Sequence, residues 1–198
     1  ASDCGYLLHK KERGFSEVGE VWGADHHGYV ARFRAAAEAL GFSRDCVKFT
    51  LVQLVRLVKD GKEVRMSKRA GNVVTVDESL ERIDMEVVRF FFLLYSPDTH
   101  MNFDMGLAEE RSQKNPVFYV QYAHARMASI FRKANVELGL NERSCDRGDV
   151  CLQDPKEILL ARHLAKFPEV LQLSVEASVV HQLPQYAIRL ADLFHSFY

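Results

Sequence analysis

Glu17 to Val58 reads EVGEVWGADHHGYVARFRAAAEALGFSRDCVKFTLVQLVRLV. Its first seven residues place Val18, Val21 and Trp22 ahead of Gly23, the composition of a strand that runs into a tight turn. Gly28 to Leu40 is rich in alanine, with Phe33, Ala36, Ala37 and Leu40 at helical spacing, and Gly41 supplies the stop. Val47 to Val58 is β-branched and aromatic, with Val47, Phe49 and Leu51 alternating, and predicts one strand. Strand, helix and strand in that order, with polar loops at the strand ends, predict part of a parallel α/β sheet.

Outward from this stretch the character changes twice. Upstream, Cys4 to Lys11 predicts a short helix, with Asp3 as a candidate cap. Downstream, Asp60-Gly61 is a hairpin-type turn, and Lys62 to Asn72 is polar, basic and predicts a mobile loop. After Thr75 the pattern is helical throughout. Asp84 can cap a helix that reaches Tyr95 and is ended by Ser96-Pro97. A long helix is expected from Leu107 to about Leu138, interrupted or bent near Asn115-Pro116, with Val117, Val120, Ala123, Met127, Ile130 and Phe131 as its apolar stripe. Asp154-Pro155-Lys156-Glu157 combines a cap, a first-turn proline and a capping-box glutamate. A last helix after Leu183 puts Tyr186, Leu190, Leu193 and Phe197 on one face, and Glu142 to Gln153 is the one long surface loop. The fold class expected is α/β followed by an all-α helical bundle. Residues 1–76 form the α/β part, 77–106 a helical connector and 107–198 the bundle.

Composition sets the outer bounds. The chain has 198 residues, 47% hydrophobic and 27% charged, with 26 Lys plus Arg against 27 Asp plus Glu, so the net charge is -1. That balance belongs to a folded chain with a core and argues against disorder. The longest apolar candidate, Val87 to Tyr95, is interrupted by Arg89 and falls far short of the roughly 18 residues of a membrane span, so no membrane partner is expected. The N-terminus carries no secretory pattern. The four cysteines form no C-x-x-C pair, which reads as reduced thiols and a cytoplasmic location. A near-neutral total leaves room for a local nucleic-acid surface.

Two segments carry candidate chemistry. Between Lys59 and Arg69 five basic residues face two acidic ones, in a glycine- and serine-containing loop suited to closing over a triphosphate. A lysine on such a loop acts most strongly on charge that develops during reaction. The second segment is Val21 to Tyr29, at the strand-to-helix junction. There Gly23 permits close backbone approach, and Asp25 can accept hydrogen bonds from ribose hydroxyls. His26 and His27 beside Asp25 invite a zinc site, but consecutive ligands are awkward and no third is evident, so no metal site is expected.

Arg65-Met66-Ser67-Lys68-Arg69 resembles the K-M-S-K-S loop of the class I aminoacyl-tRNA synthetases, with arginine at both outer positions. Trp22-Gly23-Ala24-Asp25-His26-His27-Gly28-Tyr29 resembles the arginyl members of that class, and Asn115 to Arg126 resembles the helix that opens their anticodon-binding bundle. Three motifs in the family's order identify the chain as similar to arginyl-tRNA synthetases. The resemblance implies a Rossmann-like parallel sheet for the α/β part. It gives Lys68 and Ser67 catalytic roles and assigns ATP to Gly23, Asp25, His26, Met66 and Lys68. It places arginine at Asp3 and His26, and tRNA at Tyr122, Tyr186 and Arg126. A carboxylate suits Asp3 because a guanidinium is planar and permanently charged. Tyr122 and Tyr186 also lie in apolar stripes, where core packing is the ordinary role. His124, Arg126, Arg132 and Lys133 give their helix a basic side, solvated or tracking phosphates.

The implied reaction has arginine attack the α-phosphate of ATP, with Mg2+ accompanying the nucleotide, followed by transfer of the arginyl group to an arginine-specific tRNA. DNA is not an expected partner. The family's H-x-G-H signature is absent from the sequence, so the chain is expected to be part of a longer synthetase and inactive alone. A non-catalytic tRNA-binding module and another class I synthetase, such as a cysteinyl enzyme, are the alternatives.

Overall fold

The computed structural model describes residues 2–43, 45–64, 82–139 and 152–198. The chain divides into two compact units, residues 1–56 with 97–102, and residues 57–96 with 103–198.

The first unit begins with helix α1 (Ser2–Glu12), so Asp3 lies inside the first turn and is not its cap. Strand β1 (Val18–Gly23) leads through a 3-10 segment (Ala24–Tyr29) into α2 (Val30–Ala39), and β2 (Val47–Val52) returns beside β1. The two strands are parallel, in register from Val18↔Val47 to Gly23↔Val52, as a strand–helix–strand unit requires. The helix expected from Gly28 starts later because the 3-10 turn occupies Gly28 and Tyr29. Leu7, Val18, Phe33, Ala37, Cys46 and Val47 form the core, with Trp22 and Phe49 packed against it. Gly41, at φ +80°, ends α2, and Phe42 N–H donates to the Ala37 carbonyl. Lys11 reaches across from α1 and donates to the Leu40 and Gly41 carbonyls at 2.7 and 3.1 Å.

The single strand expected over Val47 to Val58 is two, β2 and β3 (Val55–Lys59). Pairing with β1 ends at Val52, and Gln53 N–H turns to the Pro97 carbonyl at 2.7 Å. β3 joins β4 (Lys62–Glu63) through Asp60 and Gly61, at φ 51° and 72°, the paired positive values of a two-residue hairpin turn. The basic stretch expected as loop from Lys62 therefore begins as strand, and its continuation, residues 65–81, lies outside the described residues. β3 lies between β4 and β5 (Met101–Asp104), a strand where only helix was expected.

In the second unit, α3 (Met85–Leu93) buries Val87 and Phe91, and Phe91 and Phe92 meet the ring of Phe103. Asp84 stands at the head of α3 but its side chain makes no cap bond and pairs with Arg111 at 3.3 Å. The helix expected from Leu107 to Leu138 is two. Asp104 caps α4 (Met105–Glu109), and Asn115 caps α5 (Pro116–Leu138), so of the interruption or bend expected near Asn115-Pro116 the chain shows the interruption. Phe131 is 71% exposed and off the stripe. The capping box of Asp154 and Glu157 forms as expected on α6 (Pro155–Ala165), followed by α7 (Phe167–Glu176) and α8 (Gln182–Phe197). α8 packs on α5, α6 and α7. Its buried face carries Pro184, Ala191 and Phe194, beside the Tyr186–Leu190–Leu193–Phe197 face, on which Phe197 is exposed. The bundle core joins Ala123, Ala191 and Phe194 to Tyr119, Val120, Met127 and Ile130.

Candidate active site and helical binding surface

In the first unit, α1, β1, the 3-10 turn and α2 surround a cavity of about 410 Å3. α1 lends Asp3 and Tyr6, one turn apart. β1 lends Glu20 and Trp22, which alternation turns to the same side as buried Val18. His26 and Tyr29 come from the 3-10 turn and Phe33 from α2. Trp22 anchors the wall, its ring 5.0 Å from Phe33, 4.8 Å from Phe49 and 5.8 Å from Tyr29. Edge-on and tilted contacts of this kind hold an aromatic wall rigid.

The structure therefore brings together Asp3 and His26, separated by more than twenty residues in the chain, at one cavity. Gly23 and Asp25 lie beside it. A Cβ added at Gly23 would lie 2.5 Å from Asp25 Oδ1, so a side chain there would require that exposed carboxylate to shift from its place over the turn. Asp25 is also 3.6 Å from His26 Nε2, both side chains largely exposed. Met66, Ser67 and Lys68 lie outside the described residues. Among the described residues no group of three or more His, Cys, Asp or Glu side chains could hold a metal.

Glu20 and Tyr6 were not singled out from sequence, and Trp22 was read as a strand residue and part of a motif, without a role in the site. For Glu20 a signal was present, a charged residue on the inward register of a strand between Val18 and Trp22. Lys10, its partner at 2.7 Å, gave none, because the pairing joins α1 to β1 across a turn.

In the second unit Tyr122 is 45% exposed, and its ring stacks on His195 with centroids 5.6 Å apart and planes 24° from parallel. Arg126, one helical turn on, holds its guanidinium 5.9 Å from the Tyr122 ring and 4.0 Å from the ring of Tyr198, itself 63% exposed. Beneath them Tyr119 donates to Asp192 at 2.9 Å, and burial, reinforced by that carboxylate, raises its phenol above the ordinary tyrosine value. Tyr186 is held differently. Its ring lies 4.3 Å from that of His163 and 13° from parallel, its hydroxyl donates to the His163 carbonyl at 3.1 Å, and Phe167 sits at 5.4 Å. Burial raises its phenol as well. His195 and Tyr198 were not anticipated from sequence, because they meet α5 only through the bundle. His124, Arg132 and Lys133 are exposed. No helix among the described residues is long and apolar enough to cross a membrane.

A family profile for the DALR anticodon binding domain matches residues 120–198. An arginine–tRNA ligase of Symbiobacterium thermophilum is 47% identical over the whole chain and one of Listeria monocytogenes 45% identical over 99% of it; the chain covers 36% and 35% of these proteins. It thus spans about a third of the length of the curated relatives it matches. A crystal structure of a Campylobacter jejuni protein assigned as an arginyl-tRNA synthetase superposes with a TM-score of 0.84 at 34% identity, covering all of this chain and 42% of that one. The Thermus thermophilus arginyl-tRNA synthetase gives 0.68 at 25% identity, over 92% of this chain and 33% of that one. By sequence and by fold, the chain matches the C-terminal part of an arginyl-tRNA synthetase, and its residues 120–198 match the profile of the DALR anticodon binding domain.

Proposed function

We propose that the complete protein containing this chain is a cytoplasmic enzyme that uses ATP to attach arginine to its tRNA through an arginyl-adenylate. The observation that carries this reading is the joining of Asp3 and His26 at one aromatic-walled cavity. In it Asp3 accepts two hydrogen bonds from the arginine guanidinium, while Trp22 and Tyr29 keep water from its apolar stem. His26 bridges the two substrates, and Asp25, folded over Gly23, receives the adenosine ribose. Orientation does most of the work here, bringing the arginine carboxylate in line with the α-phosphate. Lys68, with Ser67 and Met66 beside it, stabilises charge on the departing pyrophosphate. Mg2+ enters as the companion of the ATP phosphates, and no step is assigned to protein ligands for it. On the helical unit, Tyr122 and Arg126 offer a stacking platform to unpaired anticodon bases, and Tyr186 offers a fixed ring edge.

The test is aminoacylation by the complete enzyme carrying Asp3→Asn. The expected result is an arginine KM raised roughly 10–100-fold with the ATP KM unchanged, the loss of one charged partner. Failure of the wild-type enzyme to charge tRNA with arginine would overturn the reading. An unchanged arginine KM in the variant would remove Asp3 from it.

A further inference from the structure

Glu20 is an anomaly of the fold. Alternation along β1 turns Val18, Glu20 and Trp22 to one side, and a charged group there loses much of its water. Its side chain is 17% exposed and that of Lys10, the partner at 2.7 Å, 15% exposed. Lys10 Nζ also lies 4.4 Å from the centre of the Tyr6 ring. The ammonium is thus fixed on two sides, by a carboxylate and by a ring face. An ion pair so withdrawn from water gives little net stability over an apolar pair, so stability alone is a weak reason for it.

Glu20 lines the same cavity as Asp3. A carboxylate has acceptor sites for about four hydrogen bonds, and the Lys10 bond uses one at Oε1. A guanidinium presents five N–H donors around a plane, more than one carboxylate can satisfy. Asp3 approaches from α1 and Glu20 from β1, so they offer acceptors from two different elements.

We propose that Glu20, oriented by Lys10, is the second carboxylate of the guanidinium subsite and with Asp3 sets its preference for a planar cation. This inference rests on the arginine-binding reading above. Lys10 is a positioning residue. It holds one oxygen of Glu20, and the acceptors that remain on the two carboxylates suit the planar donor fork of a guanidinium better than the compact point charge of an ammonium.

The experiment uses the complete enzyme with Glu20→Gln, which keeps the size of the side chain and an acceptor for Lys10. Arginine KM, ATP KM and inhibition by citrulline, the neutral near-isostere of arginine, are measured beside Asp3→Asn. Glu20→Gln is expected to raise the arginine KM roughly 10–100-fold and leave the ATP KM and citrulline inhibition within about twofold. A purely structural role would instead weaken arginine, ATP and citrulline together, and that result overturns the proposal. So does an arginine KM within about twofold of wild type. If Asp3→Asn raises the arginine KM while Glu20→Gln does not, the arginine site stands and this inference alone falls. If wild type gives no arginine-dependent charging, both fall. Glu20→Asp guards against misfolding of the glutamine variant. It keeps the charge, so its arginine KM is expected to rise less than tenfold, and a rise in the ATP KM of equal size would overturn the proposal.

Discussion

Asn115 has no exposed surface, and its amide is fully engaged. Oδ1 accepts from Val117 N–H at 3.0 Å, which caps α5. Nδ2 faces the carbonyls of Leu107, Ala108 and Glu110 at 3.1, 3.3 and 3.1 Å, which ties the end of α4 to the start of α5. Replacement by alanine removes the cap, about 1 kcal/mol, and two buried donors at about 1–1.5 kcal/mol each, for an expected loss of about 3–4 kcal/mol. Asn115→Asp is the sharper variant. It keeps the size and the capping oxygen, but removes both donors and sets a carboxylate among carbonyl oxygens, for a loss of about 3 kcal/mol at pH 7. A protonated carboxyl restores one donor, so the folded variant favours protonation and its carboxyl pKa exceeds that of the unfolded chain. The variant's deficit against wild type should therefore shrink in acid and reach its full size once pH has risen through the folded value. Urea unfolding of the 198-residue chain, followed by far-ultraviolet circular dichroism at matched pH values, measures both. An Asn115→Asp chain within about 1 kcal/mol of wild type at pH 7 would refute the account of this residue as a donor hub.

Three further outcomes concern the complete enzyme. Lys68→Ala should lower kcat for adenylate formation by about 10²–10³ with little change in ATP KM, and Ser67→Ala should do less; pyrophosphate exchange measures this, and a pure ATP KM effect would make the loop a ground-state clamp. Tyr122→Ala should weaken tRNA binding by roughly 1–3 kcal/mol while Tyr122→Phe loses little, as filter binding can show. Gly23→Ala should displace Asp25 from its fold over the turn and raise the ATP KM with the arginine KM unaltered; an unchanged ATP KM in steady-state exchange would detach Asp25 from the nucleotide.

Local chemistry was the legible part of this molecule. The capping box at Asp154, the hairpin at Asp60-Gly61 and the stop at Gly41 depend on neighbours within a few residues, and each formed as read. What escaped depends on partners far along the chain. The division of β2 from β3 follows from where β1 ends, and Asp84 left its helix for Arg111, twenty-seven residues away. The site shows the same division. Asp3 and His26 were named from motifs and meet at the cavity, whereas Lys10 and Glu20 become partners only once α1 packs on β1. Tyr186 sat in a helical apolar stripe, but nothing in its neighbourhood announces the lock to His163, which the packing of α6 on α8 creates.

The hairpin of β3 and β4 has a consequence for reach. Val64, its last described residue, is fixed by a 2.9 Å hydrogen bond from its N–H to the Leu57 carbonyl. Lys68 follows four residues later, and a chain extends at most about 3.6 Å per residue, so its Cα is leashed within about 14 Å of that anchor. On the proposed reading the triphosphate therefore has to bind within that reach of the hairpin. Inserting residues between Val64 and Met66 would widen that limit while leaving the lysine itself unchanged.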